Sequence, residues 1–459
     1  EGSAARSWMS ILGVMLAFLV FAPLSFAQVD REAVDGEVII QLTETAKTQL
    51  VENGTTPGVI TEDAGVSALN RLAQQFSMSR MERVVPPSGK YEDRVARAGL
   101  DRWYVVQYDA DVATNQVVSA YSSLAEVAHA HKNFIVEATA PTRTEKRVSF
   151  QDASDPGDDD EEERRAEREA RSDFYADAIP NDPEYGTQWH YDNTTDNVGT
   201  PDADINLPEA HDIETGDPSV IVNITDNKID VDHPEFEGMY WINEEEDINN
   251  NGKFDPFPAS EGGDLNGVDD DGNGYTDDVI GYNFADDEPN PNTEVADHGS
   301  HTAGTVAAKN GNGTFGAGVA GGDGSPDSGV RLMITPFLAD PPEGGGSIAD
   351  AVEAITYATN NGAVISNNSW GTGGSTPPAL QQAIDDFVNN AGGPDAPLDG
   401  GIFVNSAGNS DAPASGFSPA EYGPVFTVSS TEDTDTKSSF SNFGDAIDVA
   451  APGGEFGED

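Results

Sequence analysis

The stretch SIADAVEAITYATNNGAVISNNSW, residues 347–370, joins two patterns that together decide the class of fold. Its first part, Ser347–Gly362, carries apolar side chains at spacings of three and four and ends at glycine, which is typical of a capped helix. Its second part, Ala363–Trp370, opens with Ala-Val-Ile and has the length of a strand. A helix followed by a strand is half of a βαβ unit, in which the strands lie parallel.

The same alternation continues on both sides of this stretch. Further strands are predicted over Pro218–Asp226, Gly329–Leu338, Gly401–Asn409, Tyr422–Glu432 and Ala446–Gly453. Further helices are predicted over Gly299–Lys309 and Pro378–Gly392. We therefore predict an α/β domain with a doubly wound, mostly parallel sheet, whose ligands bind at the carboxyl ends of the strands.

A smaller α+β domain is predicted ahead of it. Strands are expected over Gly36–Leu42, Arg102–Ala110 and Lys132–Ala140, and helices over Ser67–Phe76 and Asn115–Ala130. This order is compatible with the β-α-β-β-α-β arrangement of a ferredoxin-like domain. His129 and His131 are interpreted as cations at the end of the second helix.

The N-terminus has the pattern of an export signal. An apolar run, Ile11–Leu24, is too short for a confident membrane span and is followed by the small residues of Ser25–Ala27. The expected segments are translated sequence upstream of the start (1–8), a signal peptide (9–27), a propeptide-like domain (28–147), an acidic linker (148–179) and the α/β domain (180–459). After signal removal we expect no stable membrane span and a secreted protein, extracellular or periplasmic.

The composition narrows the classes of function. The chain has 82 acidic and 23 basic residues, a net charge of -59, and no cysteine. A nucleic-acid partner is not expected, because neutralising phosphates requires lysine and arginine. Without cysteine the chain has neither a disulfide nor a thiolate metal site or nucleophile. An acidic surface binds cations and suits a saline or calcium-rich medium.

Polar side chains stand where the predicted strands end and a helix begins. Asp226 ends the first strand of the α/β domain, His298 begins the next helix, and Asn409 ends a later strand. Such residues fit acyl transfer: the aspartate orients the histidine, the histidine accepts a proton from a hydroxyl nucleophile, and the asparagine binds the developing oxyanion. The order Asp, His and then Ser is that of subtilisin.

Seven motifs in this half of the chain extend the pattern. In order they are PNDPEYGTQWHY (180–191), DADINLPEAHDIETG (202–216), the Asp226–Phe236 segment with its HPEF, HGSHTAG (298–304), ISNNSWG (365–371), NSAGNS (405–410) and SSFSNFGDAIDVAAPG (438–453). Together they resemble the subtilase (subtilisin-like serine protease) family in that family's own order. The resemblance implies a subtilisin-like fold and a serine endopeptidase that acts on polypeptides and is made as a preproprotein.

The resemblance also implies residue roles. Asp226 and His298 correspond to the Asp and His of the triad, and Asn409 to the oxyanion asparagine. Two segments would flank the substrate backbone and shape the specificity pocket: Ser369, Trp370 and Gly371, and Ser406, Ala407 and Gly408. The domain at 28–147 resembles a propeptide, which in this family assists folding and inhibits the active site.

Two departures from the family pattern matter. Lys228 stands where the family has glycine after the aspartate, which would place a cation near the Asp226 carboxylate. The family's Gly-Thr-Ser-Met-Ala segment, which holds the nucleophile, does not occur before Asp459. We expect the nucleophile beyond Asp459 and therefore no peptidase activity in this chain alone. The alternative is an inactive subtilase-like protein that binds peptides or calcium.

The second histidine of HGSHTAG has two possible readings. A zinc site through His298 and His301 is not favoured, since the segment lacks the glutamate of the H-E-x-x-H pattern. We expect His301 to be a supporting residue packed among small neighbours.

Two segments between the Asp and His motifs resemble calcium-binding loops. Alternating oxygen-bearing side chains with a glycine at the sharp turn suit a hard cation such as Ca²⁺. The first set is Asp269, Asp271, Asn273 and Asp277, and the second is Asp247, Asn249, Asn251 and Asp255. The alternative is an acidic surface loop, rich in asparagine and glycine, that binds no ion.

Overall fold

The computed structural model describes residues 31–52, 58–60, 64–139, 180–193, 199–293, 298–340, 344–393 and 396–455. The strands are β1 (Ala33–Leu42), β2 (Val59–Ile60), β3 (Arg80–Arg83), β4 (Trp103–Gln107), β5 (Val127–Ala138), β6 (Ile221–Thr225), β7 (Arg331–Ile334), β8 (Gly345–Ser347), β9 (Ile365–Asn368), β10 (Trp370–Gly373), β11 (Ile402–Ser406), β12 (Phe417–Ser418), β13 (Phe426–Thr431) and β14 (Val449–Pro452). The α-helices are α1 (Glu44–Glu52), α2 (Ser67–Gln75), α3 (Glu92–Ala98), α4 (Thr114–Ser122), α5 (Leu207–His211), α6 (His298–Ala307), α7 (Ile348–Asn360) and α8 (Pro378–Asn390).

The predicted signal peptide and acidic linker lie outside the described residues. In the described part of the chain, no helix combines the length and apolar character that a membrane crossing requires. Residues Arg31–Asp459 form one compact unit.

The C-terminal part is built on a parallel sheet, as predicted. Its strand order is β14-β13-β11-β9-β6-β7, and each neighbouring pair is parallel. All carboxyl ends therefore meet at one edge, where β6 leads into Asp226 and β11 leads into Asn409.

Helix α7 shows why the sequence of its segment folds as it does. The Ser347 hydroxyl accepts a hydrogen bond from the Asp350 amide at 3.2 Å, and the Asp350 carboxylate accepts one from the Ser347 amide at 3.3 Å. This reciprocal capping satisfies two amides that the first helical turn leaves free. After the helix, Gly362 adopts φ +92°, a left-handed conformation in which glycine carries no steric cost.

The N-terminal part is built on an antiparallel sheet. Strands β5, β1, β4, β3 and β2 follow one another in that order, and each neighbouring pair is antiparallel. The far end of β5 continues past this sheet and pairs antiparallel with β8 and β10 of the C-terminal part. The two parts therefore share one hydrogen-bonded sheet.

The two parts also share a hydrophobic core. Ile39, Trp103 and Val136 of the N-terminal part belong to the same buried cluster as Ile355 of α7 and Leu380 of α8. Burial of this kind of surface contributes roughly 25 cal/mol per Å². The N-terminal sheet thus covers the apolar faces of α7 and α8.

One predicted element is wrong. The helix expected over Asn115–Ala130 ends at Ser122, and β5 begins at Val127. His129 and His131 therefore lie in a strand, where Gln41 and Ile39 of β1 are their partners. Pairing with β1 is a long-range interaction, so the local apolar spacing did not reveal it.

Candidate active site

Asp226 and His298 meet at the carboxyl edge of the parallel sheet. Asp226 follows β6 with its side chain fully buried, and His298 begins α6 with its side chain 18% exposed. His298 Nδ1 lies 2.6 Å from Asp226 Oδ1. A buried carboxylate on Nδ1 orients the ring and leaves Nε2 to exchange a proton with another group.

The local sequence around the pair permits this approach. A Cβ added at Gly299 would lie 2.6 Å from the Asn227 carbonyl oxygen, so only glycine lets α6 start this close to the β6 loop. The Gly299 amide donates to Asn227 Oδ1 at 2.7 Å, and the Asn227 amide donates to Asp226 Oδ1 at 2.8 Å. These contacts hold the carboxylate beside the ring.

Lys228 does not act on this carboxylate in the way that its position in the sequence suggested. Its ammonium lies 2.8 Å from Asp286 Oδ2 and 3.7 Å from Glu288 Oε1. Burial lowers the pKa of Lys228, but the hydrogen bond and charge of Asp286 outweigh this effect, so its pKa is raised. The cation is compensated by carboxylates that follow the acidic loops.

Asn409 lies just beyond β11, on a turn that needs glycine. Gly408 has φ +98°, and a Cβ there would lie 2.5 Å from Asn442 Nδ2. Asn442 donates to the Ala407 carbonyl at 2.8 Å and accepts from the Ser410 amide at 3.0 Å. Asn442 therefore holds the backbone on both sides of Asn409.

The end of β5 lies between β8 and β10, and we call the groove between these two strands the cleft. Ala138 and Glu137 pair with Trp370 and Gly371 of β10, one of the segments expected to flank a substrate backbone. On the other side, Glu137, Val136 and Ile135 pair with Gly345, Gly346 and Ser347 of β8. A chain held between two strands in this way has the extended conformation of a bound peptide.

Thr139 ends this strand at the candidate catalytic residues. Its amide donates to the Ser369 carbonyl at 2.7 Å, and its carbonyl accepts from Asn409 Nδ2 at 2.7 Å. Its hydroxyl lies 2.7 Å from the Ser406 hydroxyl. Three residues expected in the site therefore converge on Thr139: Ser369 between β9 and β10, Ser406 at the end of β11, and Asn409 after β11.

The remaining histidines of interest are explained by packing or exposure. His301 is exposed, so the expectation that it packs among small neighbours is wrong. Gly299, Ala303 and Ala307 form the buried face of α6, and His301 lies off that face. His233 caps the following turn by accepting from the Glu235 amide at 3.3 Å.

The first predicted calcium loop folds around its own carboxylates. The Asn273 amide donates to Asp269 Oδ1 at 3.0 Å and to Asp271 Oδ1 at 2.8 Å. Asp277 Oδ1 accepts from the amide of Asn266 at 2.8 Å. The four expected residues lie on one loop, but Asp277 faces the amides of 266–267 rather than those of Asn273.

Three buried carboxylates meet beside this loop. Ligand oxygens of Glu246, Asp271 and Asp278 lie within 4.8 Å of one another. Burial raises the pKa of Asp278 to about 8, and burial with the charges of Asp271 and Asp270 raises that of Glu246 to about 7. Of this group the sequence had indicated only Asp271. Glu246 and Asp278 are each one residue away from an expected position, which is the signal that could have found them.

The second predicted loop is closed by hydrogen bonds between its own members. The Gly252 amide donates to Asp247 Oδ2 at 2.8 Å. Asn249 and Asn251 donate through Nδ2 to Asp255 Oδ2 at 2.8 and 2.6 Å. All four expected residues lie together, with the buried Asp264 accepting from the Asp255 amide at 2.7 Å.

Comparison with known proteins gives the family. The profile described as "Subtilase family" matches residues 217–459, more than half of the chain. The chain is 30% identical over 297 residues to "Extracellular protease" of Xanthomonas campestris pv. campestris, covering 61% of this chain and 43% of that protein. It is 33% identical over 176 residues to "Thermitase" of Thermoactinomyces vulgaris, covering 38% of this chain and 55% of that protein. It is 29% identical over 278 residues to "Halolysin-like extracellular serine protease Nep" of Natrialba magadii, covering 60% of this chain and 39% of that protein.

The chain spans 39% to 55% of the length of these three relatives. Among solved structures, it is similar to fervidolysin from Fervidobacterium pennivorans, described as a keratinolytic enzyme related to subtilisin. The TM-score is 0.53 at 17% identity, over 92% of this chain and 48% of that one. This likeness concerns the fold, which is the same mixed α/β arrangement with a parallel sheet. On the profile match and the shared sequence, the chain belongs to the subtilase family of serine proteases.

Proposed function

We propose that this protein is a secreted serine endopeptidase that hydrolyses peptide bonds of polypeptides. His298 is the general base and then the general acid, and Asp226 orients its ring. Asn409 donates a hydrogen bond to the oxyanion of the tetrahedral intermediate. One observation carries the proposal: Asp226 lies on His298 Nδ1 at the same carboxyl edge of the parallel sheet where Asn409 donates to a peptide carbonyl.

The nucleophile in this proposal is a serine beyond Asp459. Its hydroxyl attacks the peptide carbonyl, an acyl-enzyme forms, and water releases the acyl group. The 459-residue chain is therefore expected to have no peptidase activity of its own. Secretion rests on the predicted signal peptide and on relatives whose names describe them as extracellular.

We also propose that residues 28–147 are a propeptide with a ferredoxin-like fold. The antiparallel order β5-β1-β4-β3 supports this assignment. Its chaperone role is supported by contacts at both ends of α7. Asn133 Oδ1 accepts from the Ala349 amide at 3.1 Å, and Arg94 donates to the carbonyls of Thr359 and, at 2.5 Å, Asn390. Helix ends leave such groups without partners inside the helix, so these contacts stabilise α7 and α8.

Calcium is the proposed structural cofactor. The donor set fits, because carboxylate and amide oxygens of buried loop residues are the ligands that this hard cation prefers. Glu246, Asp271 and Asp278 are one group that would hold it, together with the loop residues Asp269, Asn273 and Asp277. The bound ion would offset the repulsion between these neighbouring carboxylates, and so stabilise the segment between Asp226 and His298 that contains both loops, here called the acidic insert.

The test of the peptidase proposal uses the protein extended beyond Asp459 to include its predicted serine segment. Hydrolysis of a generic peptide substrate should require both that serine and His298. A 459-residue chain that turns over peptides, with the turnover abolished by His298→Ala, would contradict the location of the nucleophile. An extended chain that binds peptides without cleaving them would support the inactive subtilase-like alternative.

A further inference from the structure

The turn that carries Asn409 is held by a buried side chain from a later part of the chain. Asn442 is fully buried, and its Nδ2 donates to the Ala407 carbonyl at 2.8 Å. Its Oδ1 accepts from the Ser410 amide at 3.0 Å and from the Ala412 amide at 3.1 Å. A single side-chain amide therefore binds three backbone groups, before and after Asn409.

The backbone of the same segment adds to these contacts. The Asn442 amide donates to the Gly408 carbonyl at 2.8 Å, and the Phe443 amide donates to the Ala412 carbonyl at 3.1 Å. Gly408 has φ +98°, and a Cβ there would lie 2.5 Å from Asn442 Nδ2. The Asn442 side chain therefore packs directly against the glycine that precedes Asn409, and only glycine leaves room for it.

The position of Asn442 is set by neighbouring elements and not by the turn alone. The preceding residue, Ser441, accepts through its hydroxyl from the Ser430 amide of β13 at 2.9 Å. Lys437 Nζ donates to the Ser441 carbonyl at 3.0 Å and lies 3.0 Å from Asp411 Oδ1. The segment that carries Asn442 is thus attached both to the parallel sheet and to the residues that follow Asn409.

The proposed role of Asn409 depends on where this turn lies. A donor stabilises an oxyanion when it points at the place where the charge develops, and a donor held there in advance needs no reorganisation during the reaction. Asn409 Nδ2 already donates to a peptide carbonyl, that of Thr139, at 2.7 Å. Asn409 is half-buried and Ser410 is exposed, so packing alone constrains the turn incompletely. The hydrogen bonds to Asn442 supply the remaining constraint.

We infer that Asn442 is a positioning residue for the proposed reaction: it fixes the turn so that the Asn409 side-chain amide meets the oxyanion. The inference rests on the proposed peptidase function. Asn442 is fully buried and both polar atoms of its side chain bind backbone, so it acts on the substrate through Asn409. Its loss should weaken binding of the transition state and leave binding of the substrate, and with it KM, nearly unchanged.

The first experiment is a double-mutant cycle on kcat and KM in the extended protein. Loss of an oxyanion donor lowers kcat roughly 10²- to 10³-fold, which is expected for Asn409→Ala. Asn442→Ser should lower kcat about 10-fold, a part of that factor, and change KM by less than about 2-fold. In the Asn409→Ala background, Asn442→Ser should lower kcat by less than about 2-fold. Equal losses in both backgrounds would show that Asn442 does not act through Asn409 and would overturn the inference.

A matched control separates positioning from stability. Asn310 is also buried, and it donates to the Gly322 carbonyl and accepts from the Gly318 amide, both at 2.9 Å. Asn310→Ser and Asn442→Ser should both lower the melting temperature, because each leaves buried backbone groups without partners, but only Asn442→Ser should lower kcat. Asn442→Thr, which fills more of the space, is used if Asn442→Ser does not fold. A comparable loss of kcat in Asn310→Ser would trace the effect to stability and overturn the inference.

The last measurement needs no catalysis and distinguishes failure of the inference from failure of the proposed function. In the 459-residue chain labelled with ¹⁵N-asparagine, the NMR signal of the Asn409 side-chain amide is identified by its loss in Asn409→Ala. Asn442→Ser should shift that signal toward the position of a free amide, and Asn310→Ser should leave it in place. A signal that Asn442→Ser leaves unchanged would overturn the inference. A shifted signal in a protein whose extended form cleaves nothing would overturn the peptidase proposal, while the positioning of Asn409 by Asn442 stands.

Discussion

The site at His298 and the acidic insert both contain buried carboxylates, but their charges are compensated in opposite ways. In the site at His298 a single fully buried carboxylate, Asp226, meets an imidazole 2.6 Å away. In the insert, Glu246, Asp271 and Asp278 are buried next to one another, and burial raises the pKa values of Glu246 and Asp278. The site at His298 is thus organised by the protein alone, whereas the insert needs protons or an external cation to offset its like charges.

The insert nevertheless receives one cation from within the chain. Lys90 of the N-terminal part lies 2.8 Å from Asp271 Oδ2, and its amide donates to the Gly272 carbonyl at 2.8 Å. The backbones approach closely there, since a Cβ at Gly89 would lie 1.9 Å from the Gly272 oxygen. An imidazole therefore compensates Asp226 and an ammonium of the proposed propeptide compensates Asp271, and the proposed calcium ion would be a third kind of compensation.

The largest effect is expected when the Asp226–His298 interaction is removed. In the extended protein, Asp226→Asn should lower kcat by about 10⁴-fold, because the wrong tautomer of His298 then faces the nucleophile. Measured kcat and KM on a peptide substrate check this. Lys228→Met is the matched control, since Lys228 pairs with Asp286 and should change kcat only a few-fold. An equal loss in both variants would mean that the loop, not the carboxylate, determines activity.

The next largest effect is a loss of stability at low pH, and it is expected from His131, a buried histidine that, unlike His298, pairs with no carboxylate in the described part of the chain. Burial lowers the pKa of His131 to about 4, and its Nε2 has no hydrogen-bond partner within the described residues. A lowered pKa stabilises the fold above the ordinary value of 6.5, and this stability is lost as the pH falls through about 4. The loss corresponds to about 3 kcal/mol, at about 1.4 kcal/mol per pKa unit.

The groups that face His131 are Trp103, His129, Arg31 and the Lys132 carbonyl. Unfolding free energies measured between pH 7 and 4 should therefore decrease less in His131→Gln than in wild type. His129→Gln, which changes an exposed histidine on the same strand, should retain most of the decrease, because burial lowers the pKa of His131 more than the charge of His129 does. An identical decrease in all three proteins would assign the acid sensitivity to other groups.

A somewhat smaller effect is expected at the insert on removal of the cation. At a Ca²⁺ concentration 100 times its Kd, binding stabilises the fold by about 2.7 kcal/mol, which for a compact unit of this size corresponds to a melting temperature about 3 °C higher. Chelation should reverse the increase in the 459-residue chain, as followed by circular dichroism. Asp271→Asn should weaken the response, while Asp323→Asn, an exposed aspartate, should keep it. A response that is equal in both variants would place the ion away from the Glu246 group.

The smallest effect refines the comparison at Lys90. Its side chain is 37% exposed, so the pair with Asp271 should contribute less than about 1 kcal/mol. Lys90→Met should slightly lower the melting temperature without calcium and enlarge the stabilisation by calcium, because Asp271 then lacks its ammonium. Arg97→Met, at an exposed arginine of α3, should change neither value. If Lys90→Met leaves the stabilisation by calcium unchanged, Lys90 and calcium do not compensate the same carboxylate.

Much of this protein could be predicted from local patterns. The parallel strands and the helices between them were predicted from the spacing of apolar residues and from capping residues. Both signals lie within a few residues of one another, as in Ser347–Asn360. The candidate pair, Asp226 and His298, followed from the same reasoning, because a parallel sheet brings the ends of its strands to one edge whatever the loops between them. Composition alone also set the acidic surface and the lack of cysteine chemistry.

The tertiary structure decided what depends on distant partners. The β5 strand could not be separated from a helix until β1 paired with it, and its entry between β8 and β10 joins residues more than two hundred positions apart. The same holds for Thr139 at Asn409, and for Glu246 beside Asp278. Hydrogen-bond register and the burial of like charges arise only when separate segments meet. A local pattern therefore indicates the elements and their ends, while the fold determines which ends contact which substrate or ion.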